Sequence, residues 1–272
     1  MNLKEAFNYA KELLNKNNID EAEFKAECVV CHIAGIRNNQ FKLKLDCEID
    51  TKKLDEMLNK LLSNEPLQYV IGKWDFYESE FYVGKGVLIP RPETEELVEL
   101  AVEKIKSIDE CVVYDLCAGS GCIGISVAKA CPNSKVYLVE KSDEALYYLN
   151  KNAENINNAF VVKGDITSVI ELTKADVIIS NPPYIKSDDV LGLQREVLKE
   201  PVEALDGGAD GLDFYRIIND KWTSRLKENG SLYLEIGNEQ GESIVPVLNK
   251  YKEIKVIKDM YGNDRMVVAR KG

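Results

Sequence analysis

The chain has a single histidine, His32, among its 272 residues. No mechanism can therefore rest on a network of imidazoles. Long apolar runs are missing too. No stretch approaches the roughly 18 apolar residues that a membrane span requires. The opening stretch MNLKEAFNYAKELL is an amphipathic helical pattern carrying acids, which is not the pattern of a signal peptide. The cytoplasm is the expected location. Positive charge is in deficit, with 35 Lys plus Arg against 46 Asp plus Glu and a formal net charge of −11. Proteins that bind duplex nucleic acid usually show a basic face, because phosphate contacts dominate affinity. The balance argues against DNA or RNA as the main partner. It suits a cationic ligand or a basic surface on a protein partner. Internal repeats and low-complexity tracts are absent as well.

What remains is ordinary for a soluble globular protein, 45% hydrophobic and 30% charged, with length for one large domain or two smaller ones. The seven cysteines are scattered through predicted helices and strands and read as reduced thiols. Cys28, Cys31 and His32 match the CxxCH spacing of haem attachment. Such attachment requires export, and the segment sits in a helical pattern where cysteine is a small core hydrophobe. Neither haem nor metal is expected there.

Hydrophobic spacing divides the chain. Leu3, Ala6, Phe7, Ala10, Leu13 and Leu14 recur at helical intervals, as do Leu54, Met57, Leu58, Leu61 and Leu62 behind an Asp50 or Thr51 cap. Between them Glu21 to Gly35 reads as a further helix. Ser63 to Gly72 reads as a connector. Trp74, Phe76, Phe81 and Val83 flank Glu78-Ser79 as a predicted β-hairpin, and a helix is predicted from Glu93 to Ser107. Strands are then predicted at 111–116, 134–140, 158–163, 175–180, 230–236, 253–258 and 265–270, mostly with helices between. That alternation predicts a doubly wound, mostly parallel α/β sheet, whose ligands bind at the carboxyl ends of the strands. The expected domains are a helical one over 1–72, a hairpin linker over 73–90 and the α/β domain over 91–272.

The first of these strands runs into a glycine-rich turn, Cys117, Ala118, Gly119, Ser120 and Gly121, where a ligand can lie against the backbone. Glu140 ends the second strand, where a carboxylate can accept both hydroxyls of a ribose. Gly119, Gly121 and Gly124 with an acid about 20 residues on also satisfy the dinucleotide fingerprint. Asp115 separates the two readings. A carboxylate just before the turn would repel a pyrophosphate, whereas it can hold the ammonium of S-adenosylmethionine directly or through water. Asp165, after the third strand, is placed for the adenine amino group, with Ile166 packing beside the ring.

The fourth strand ends in Asn181, Pro182, Pro183 and Tyr184. The prolines fix φ and lack N–H groups, so the corner is rigid and its carbonyls stay available. Asn181 adds a side-chain carbonyl and Tyr184 an aromatic face. The set suits a planar NH2 group, which can donate to the Asn181 side chain and the Pro182 carbonyl under the Tyr184 ring.

Asp115 to Gly121, Glu140, Asp165 and the NPPY corner together resemble class I S-adenosylmethionine-dependent methyltransferases. PLQYVIG (66–72), VLIPRPETEELVE (87–99), SNPPYI (180–185), EPVEALDGGADGLDFYR (200–216), LEIGNEQGE (234–242) and YGNDRMV (261–267) narrow the resemblance. All are similar to the HemK/PrmC family of protein-(glutamine-N5) methyltransferases, over essentially the whole chain. NPPY alone is shared with other amino-group methyltransferases. The resemblance implies a Rossmann-like, seven-stranded methyltransferase domain behind a small helical domain that helps dock the substrate. It implies S-adenosylmethionine as methyl donor and the glutamine of the Gly-Gly-Gln loop of class 1 peptide chain release factors as acceptor. Arg91, Glu93 and Thr94 resemble the family's loop over the cofactor. One departure is Cys117-Ala118, where the family often has Gly-Thr. Both pairs are small enough for the turn. A ribosomal-protein glutamine, a nucleic-acid amino group, a nicotinamide oxidoreductase and a non-catalytic scaffold are the rival readings.

Overall fold

A computed structural model of the protein describes residues 1–168 and 170–272. They form two compact units, Met1–Lys73 with Gln194–Lys199, and Trp74–Leu193 with Glu200–Gly272.

The first unit is helical, with α1 (Leu3–Lys16), α2 (Ala22–Ala34), α3 (Thr51–Leu62) and α4 (Leu67–Ile71). Local chemistry starts two of them. Asn2 and Glu5 exchange side-chain-to-backbone hydrogen bonds ahead of α1, and Asp50 accepts from the Lys52 and Lys53 N–H groups ahead of α3. The predicted stripes Leu3, Ala6, Ala10, Leu14 and Leu54, Met57, Leu58, Leu61 are buried. Cys28 and Cys31 are buried along α2, and burial pushes the Cys31 thiol up to about 12. The connector holds one short helix, α4, between Pro66 and Gly72. Five residues are too few to display a helical period. The stretch Gln194–Lys199, from far along the chain, belongs to this unit. It supplies Glu196 to Lys25, which is only 3% exposed and needs a paired carboxylate.

The second unit opens with the hairpin of β1 (Lys73–Phe76) and β2 (Ser79–Tyr82), then α5 (Glu93–Ile105). The alternating part follows as β3 (Val112–Leu116), α6 (Cys122–Ala130), β4 (Lys135–Glu140), α7 (Asp143–Ala153), β5 (Ala159–Lys163) and β6 (Ala175–Ser180). Then come α8 (Ser187–Val190), α9 (Asp213–Ile217), β7 (Leu226–Glu235), α10 (Gly241–Val247), β8 (Tyr251–Lys258) and β9 (Asp264–Lys271). The seven-stranded sheet runs β5-β4-β3-β6-β7-β9-β8, parallel from β5 to β7, with β9 antiparallel to both its neighbours. This is the α/β class expected. Val113, Leu138, Val177 and Ile179 pack on one face with Leu97, Val98 and Ile123, while Tyr114, Leu116, Ile178 and Leu234 pack on the other with Tyr215, Trp222 and Ile244. Phe76 and Phe81 of the hairpin join the first of these layers, so the hairpin packs into the core of this unit. β7 begins earlier than the sequence suggests. Asn229 takes φ +62° within a register slip against β6, so Asn229-Gly230 is absorbed as a bulge.

The chain winds from β3 outward to β5 and returns to β6 on the other side of β3. At that switch point Leu116 pairs with Ser180, whose hydroxyl donates to the Leu116 carbonyl at 2.5 Å. The glycine turn after β3 and the NPPY corner after β6 therefore stand side by side, where α/β sheets bind ligands.

Candidate active site

A cleft opens at these strand ends, with about 910 Å³ of empty space in it when the solvent at its mouth is included. Its wall includes Cys117, Ala118, Gly119 and Ser120 from the turn, Glu140, Asp165, Ile166, Asn181 and Pro183, together with Arg91 and Thr94. Among the sequence candidates Asp115, Gly121, Pro182 and Tyr184 do not line it.

The turn is tight enough to put Cys117, a non-glycine residue, at φ +60°. Gly119 N donates to Glu140 Oε2 at 2.8 Å, and Lys141 N and Ser142 N donate to Glu140 Oε1, each at 2.8 Å. Three N–H groups thus fix the carboxylate, and Oε2, which takes only one of them, keeps a lone pair for a further donor. Asp165 Oδ1 accepts from Thr167 N at 2.8 Å, a bond that holds its carboxyl below the usual range. Trp222 Nε1 donates to the Ile166 carbonyl at 2.9 Å and holds that turn from beneath.

Asp115 lies under the turn, fully buried. Its Oδ2 accepts from Gly124 N at 2.9 Å, while Oδ1 has no partner among the described residues. Burial, reinforced by Glu140, pushes the carboxyl up to about 8 despite the Gly124 bond. Gly124 permits this closeness, since a Cβ there would sit 2.2 Å from Leu138 Cδ2 and 2.9 Å from Asp115 Oδ2. Gly121 serves as the cap of α6.

The NPPY corner is held by Thr94, a sequence candidate, and by Glu235 and Gln240, which the sequence reading did not single out. Asn181 Nδ2 donates to Thr94 Oγ1 at 3.2 Å, Thr94 Oγ1 donates to Glu235 Oε2 at 2.5 Å, and Tyr184 OH donates to Glu235 Oε1 at 3.3 Å. Glu235 is 1% exposed. Burial raises its pKa against the pull of the Thr94 hydroxyl, Arg265 and Tyr184. Asn181 Oδ1 and the buried Pro182 carbonyl accept no hydrogen bond among the described residues. Gln240 Nε2 donates to the carbonyls of Tyr184 at 3.0 Å and Gly211 at 3.1 Å. Gly211 takes φ +76°, and a Cβ there would lie 2.4 Å from the Tyr184 oxygen, so the ALDGGADG loop needs glycine to lie against the corner.

Arg91 pairs with a buried acid. Its guanidinium meets Glu200 Oε1 at 2.5 Å, and the second oxygen of Glu200 accepts from Ile89 N at 3.0 Å. Glu200 is 4% exposed. Glu235, Glu200 and Gln240 are the functional candidates that sequence reasoning missed. The available signal was an acid, Glu235, closing the otherwise apolar run LYLEI.

The family model described as Methyltransferase small domain matches residues 95–211, and that described as PrmC N-terminal domain matches residues 5–72. A release factor glutamine methyltransferase of Thermodesulfovibrio yellowstonii is 36% identical, over 98% of this chain and 98% of its own. Another, of Streptococcus pneumoniae, is 37% identical over 100% of this chain and 99% of its own. Among solved structures, a methyltransferase from Pyrococcus furiosus shares the fold with a TM-score of 0.51 at 19% identity, over 82% of this chain and 98% of that one. With such identity along nearly its whole length, the chain belongs to the release factor glutamine methyltransferase family.

Proposed function

We propose that this protein transfers a methyl group from S-adenosylmethionine to the side-chain amide nitrogen of the glutamine in the Gly-Gly-Gln loop of class 1 peptide chain release factors. The observation that carries the reading is Asn181. Its amino end is tied to Thr94 while its Oδ1, unpartnered among the described residues, belongs to a side chain in the cavity wall.

The residues present fit the cofactor. Glu140, pre-set by three N–H groups, would accept a ribose hydroxyl on Oε2, and Asp165 with Ile166 would meet the adenine. Asp115 would reach the ammonium only through water, since it lies behind the wall, and its orphaned Oδ1 suits that. The backbone of Cys117 to Ser120 and the Arg91–Thr94 stretch supply the remaining wall. When bound, S-adenosylmethionine supplies an electrophilic methyl group on a sulfonium.

An amide nitrogen is a poor nucleophile because its lone pair is delocalised into the carbonyl. Acceptors aimed at its two hydrogens favour positive charge on it as it reacts. Asn181 Oδ1 and the Pro182 carbonyl would be those acceptors. They would also turn the lone-pair face of the nitrogen toward the methyl donor, and such orientation contributes up to roughly 7–11 kcal/mol. Pro183 keeps the corner rigid, and Tyr184, braced by Glu235, supports it from behind. A strong base is not required, because an N-methylated amide that still holds the extra proton gives it to water. We assign docking of the protein substrate to the N-terminal helical unit, since every wall residue belongs to the other unit. Among the described residues no helix is long and apolar enough to cross a membrane. The substrate would place the enzyme in the cytoplasm.

Mass spectrometry of a class 1 release factor after incubation with the protein and S-adenosylmethionine tests the reading, with a Gly-Gly-Gln→Gly-Gly-Ala factor beside it. One added methyl on the glutamine peptide, absent from the variant, is expected. Intact cofactor binding without that methyl would move the substrate to a ribosomal-protein glutamine or a nucleic-acid amino group.

A further inference from the structure

We infer that Thr94 and Glu235 are positioning residues that set which end of the Asn181 amide faces the substrate. The inference deepens the proposed function and rests on its reading of Asn181 as an acceptor.

Ionised, the form that the Thr94 hydroxyl, Arg265 and Tyr184 favour, Glu235 only accepts. Thr94 has one hydroxyl proton, and it is spent on Glu235 Oε2 at 2.5 Å. Thr94 Oγ1 can then only accept from Asn181. The Asn181 atom 3.2 Å away must be Nδ2, and Oδ1 must point the other way. The opposite orientation would set two oxygens against each other with no proton between them. It would also present an NH2 group to a substrate NH2 group. An asparagine alone is nearly symmetric in shape, so NPPY does not specify which end serves the substrate. The direction comes from Glu235 through Thr94. The second oxygen of the same carboxylate takes the Tyr184 hydroxyl at 3.3 Å, so both ends of the tetrapeptide are referred to one buried group. Thr94 lies in the wall of the cavity, and its one hydroxyl proton goes to Glu235.

The discriminating substitutions are Thr94→Val, which keeps the shape and removes the hydroxyl, and Thr94→Ser, which restores it. Two readouts decide. In the substrate-free full-length protein, solvent exchange of the Asn181 Nδ2 protons is followed by NMR, with the resonance assigned by its loss in Asn181→Asp. Exchange should be slow in the wild type and in Thr94→Ser, and fast in Thr94→Val. In turnover with release factor, Thr94→Val should lose about 10-fold or more in kcat, short of the roughly 10²–10³-fold for deleting a transition-state contact outright. The KM for S-adenosylmethionine should stay near wild type, and Thr94→Ser should regain most of the rate. A release-factor peptide with Glu in place of the target Gln should also inhibit Thr94→Val more strongly than wild type, because a freed Asn181 can offer Nδ2 to a carboxylate. Equal exchange in wild type and Thr94→Val overturns the inference, and so does an unchanged kcat. If the wild type leaves release factors unmethylated, the substrate reading falls, while the exchange measurement still decides the orientation. Should Thr94→Val not fold, Thr94→Ala carries the same readouts.

Discussion

Removing the Glu200 carboxylate should loosen the loop over the cavity, and its two bonds let the size be worked out. Oε2 accepts from Ile89 N at 3.0 Å, and Ile89 is 3% exposed. In Glu200→Ala that N–H is left buried and unpaired, at about 1–3 kcal/mol. Oε1 meets Arg91, whose side chain is 31% exposed. The guanidinium can turn toward water, so this bond adds only about 1 kcal/mol after solvent screening. Glu200→Ala should thus lose about 2–4 kcal/mol of stability in urea unfolding. Glu200→Gln keeps one acceptor and should lose less, about 1–2 kcal/mol. The stretch Ile89 to Thr94 supplies four wall residues, Ile89, Pro90, Arg91 and Thr94. A loop that is ordered only part of the time lowers apparent affinity by that fraction. Calorimetric titration should find S-adenosylmethionine bound about 10-fold more weakly by Glu200→Ala. Stability within about 0.5 kcal/mol of wild type, with unchanged affinity, would refute the idea that Glu200 holds this loop.

Two further outcomes are expected. Asn181→Ala should lower kcat by about 10²–10³-fold while cofactor affinity survives, because it removes an acceptor aimed at the reacting nitrogen; turnover near wild type would sink that role. Asp115→Asn tests the buried acid. The folded-state pKa of Asp115 is raised, to about 8 from 3.8, so folding favours the protonated form. That contribution is fully present below the unfolded value and is lost as pH rises toward 8. Between about pH 5 and pH 8 the ligand-free wild type should lose stability relative to Asp115→Asn by about 1.4 kcal/mol per pH unit, then level off. Paired urea titrations across that range would show it, and a pH-independent difference would refute it.

The fold was largely legible because its signals are local. Val112 to Leu116 is a fully buried run that ends at the glycine turn, as a central parallel strand must be. Asp50 and Asn2 mark helix starts with their own side chains. What escaped lacked a local signal. α4 spans little more than one helical turn, too short for its pattern to repeat, and Asn229-Gly230 carries turn chemistry that pairing of β6 with β7 overrides. That Gln194–Lys199 joins the helical unit depends wholly on tertiary structure.

The site divides along the same line. Glu140, Asp165 and Asn181 were readable because parallel topology gathers the carboxyl ends of successive strands, so a polar residue just past a buried strand already has an address. Asp115 shows the limit of that rule. It stands one residue before the last of β3, where strand alternation turns its side chain away from Leu116, and the N–H of Gly124 takes its carboxylate under the turn. The braces were not readable at all. Glu200 and Glu235 reach residues more than a hundred positions away, Arg91 and Thr94, and neither pairing follows from any spacing. Yet the IPRPET stretch and the NPPY corner have no strand pairing with each other, and the described hydrogen bond between them is Asn181 to Thr94. A motif can state that an amide stands at the corner. Which way that amide points is decided by a proton on Thr94, and that proton is placed by an acid at the end of β7.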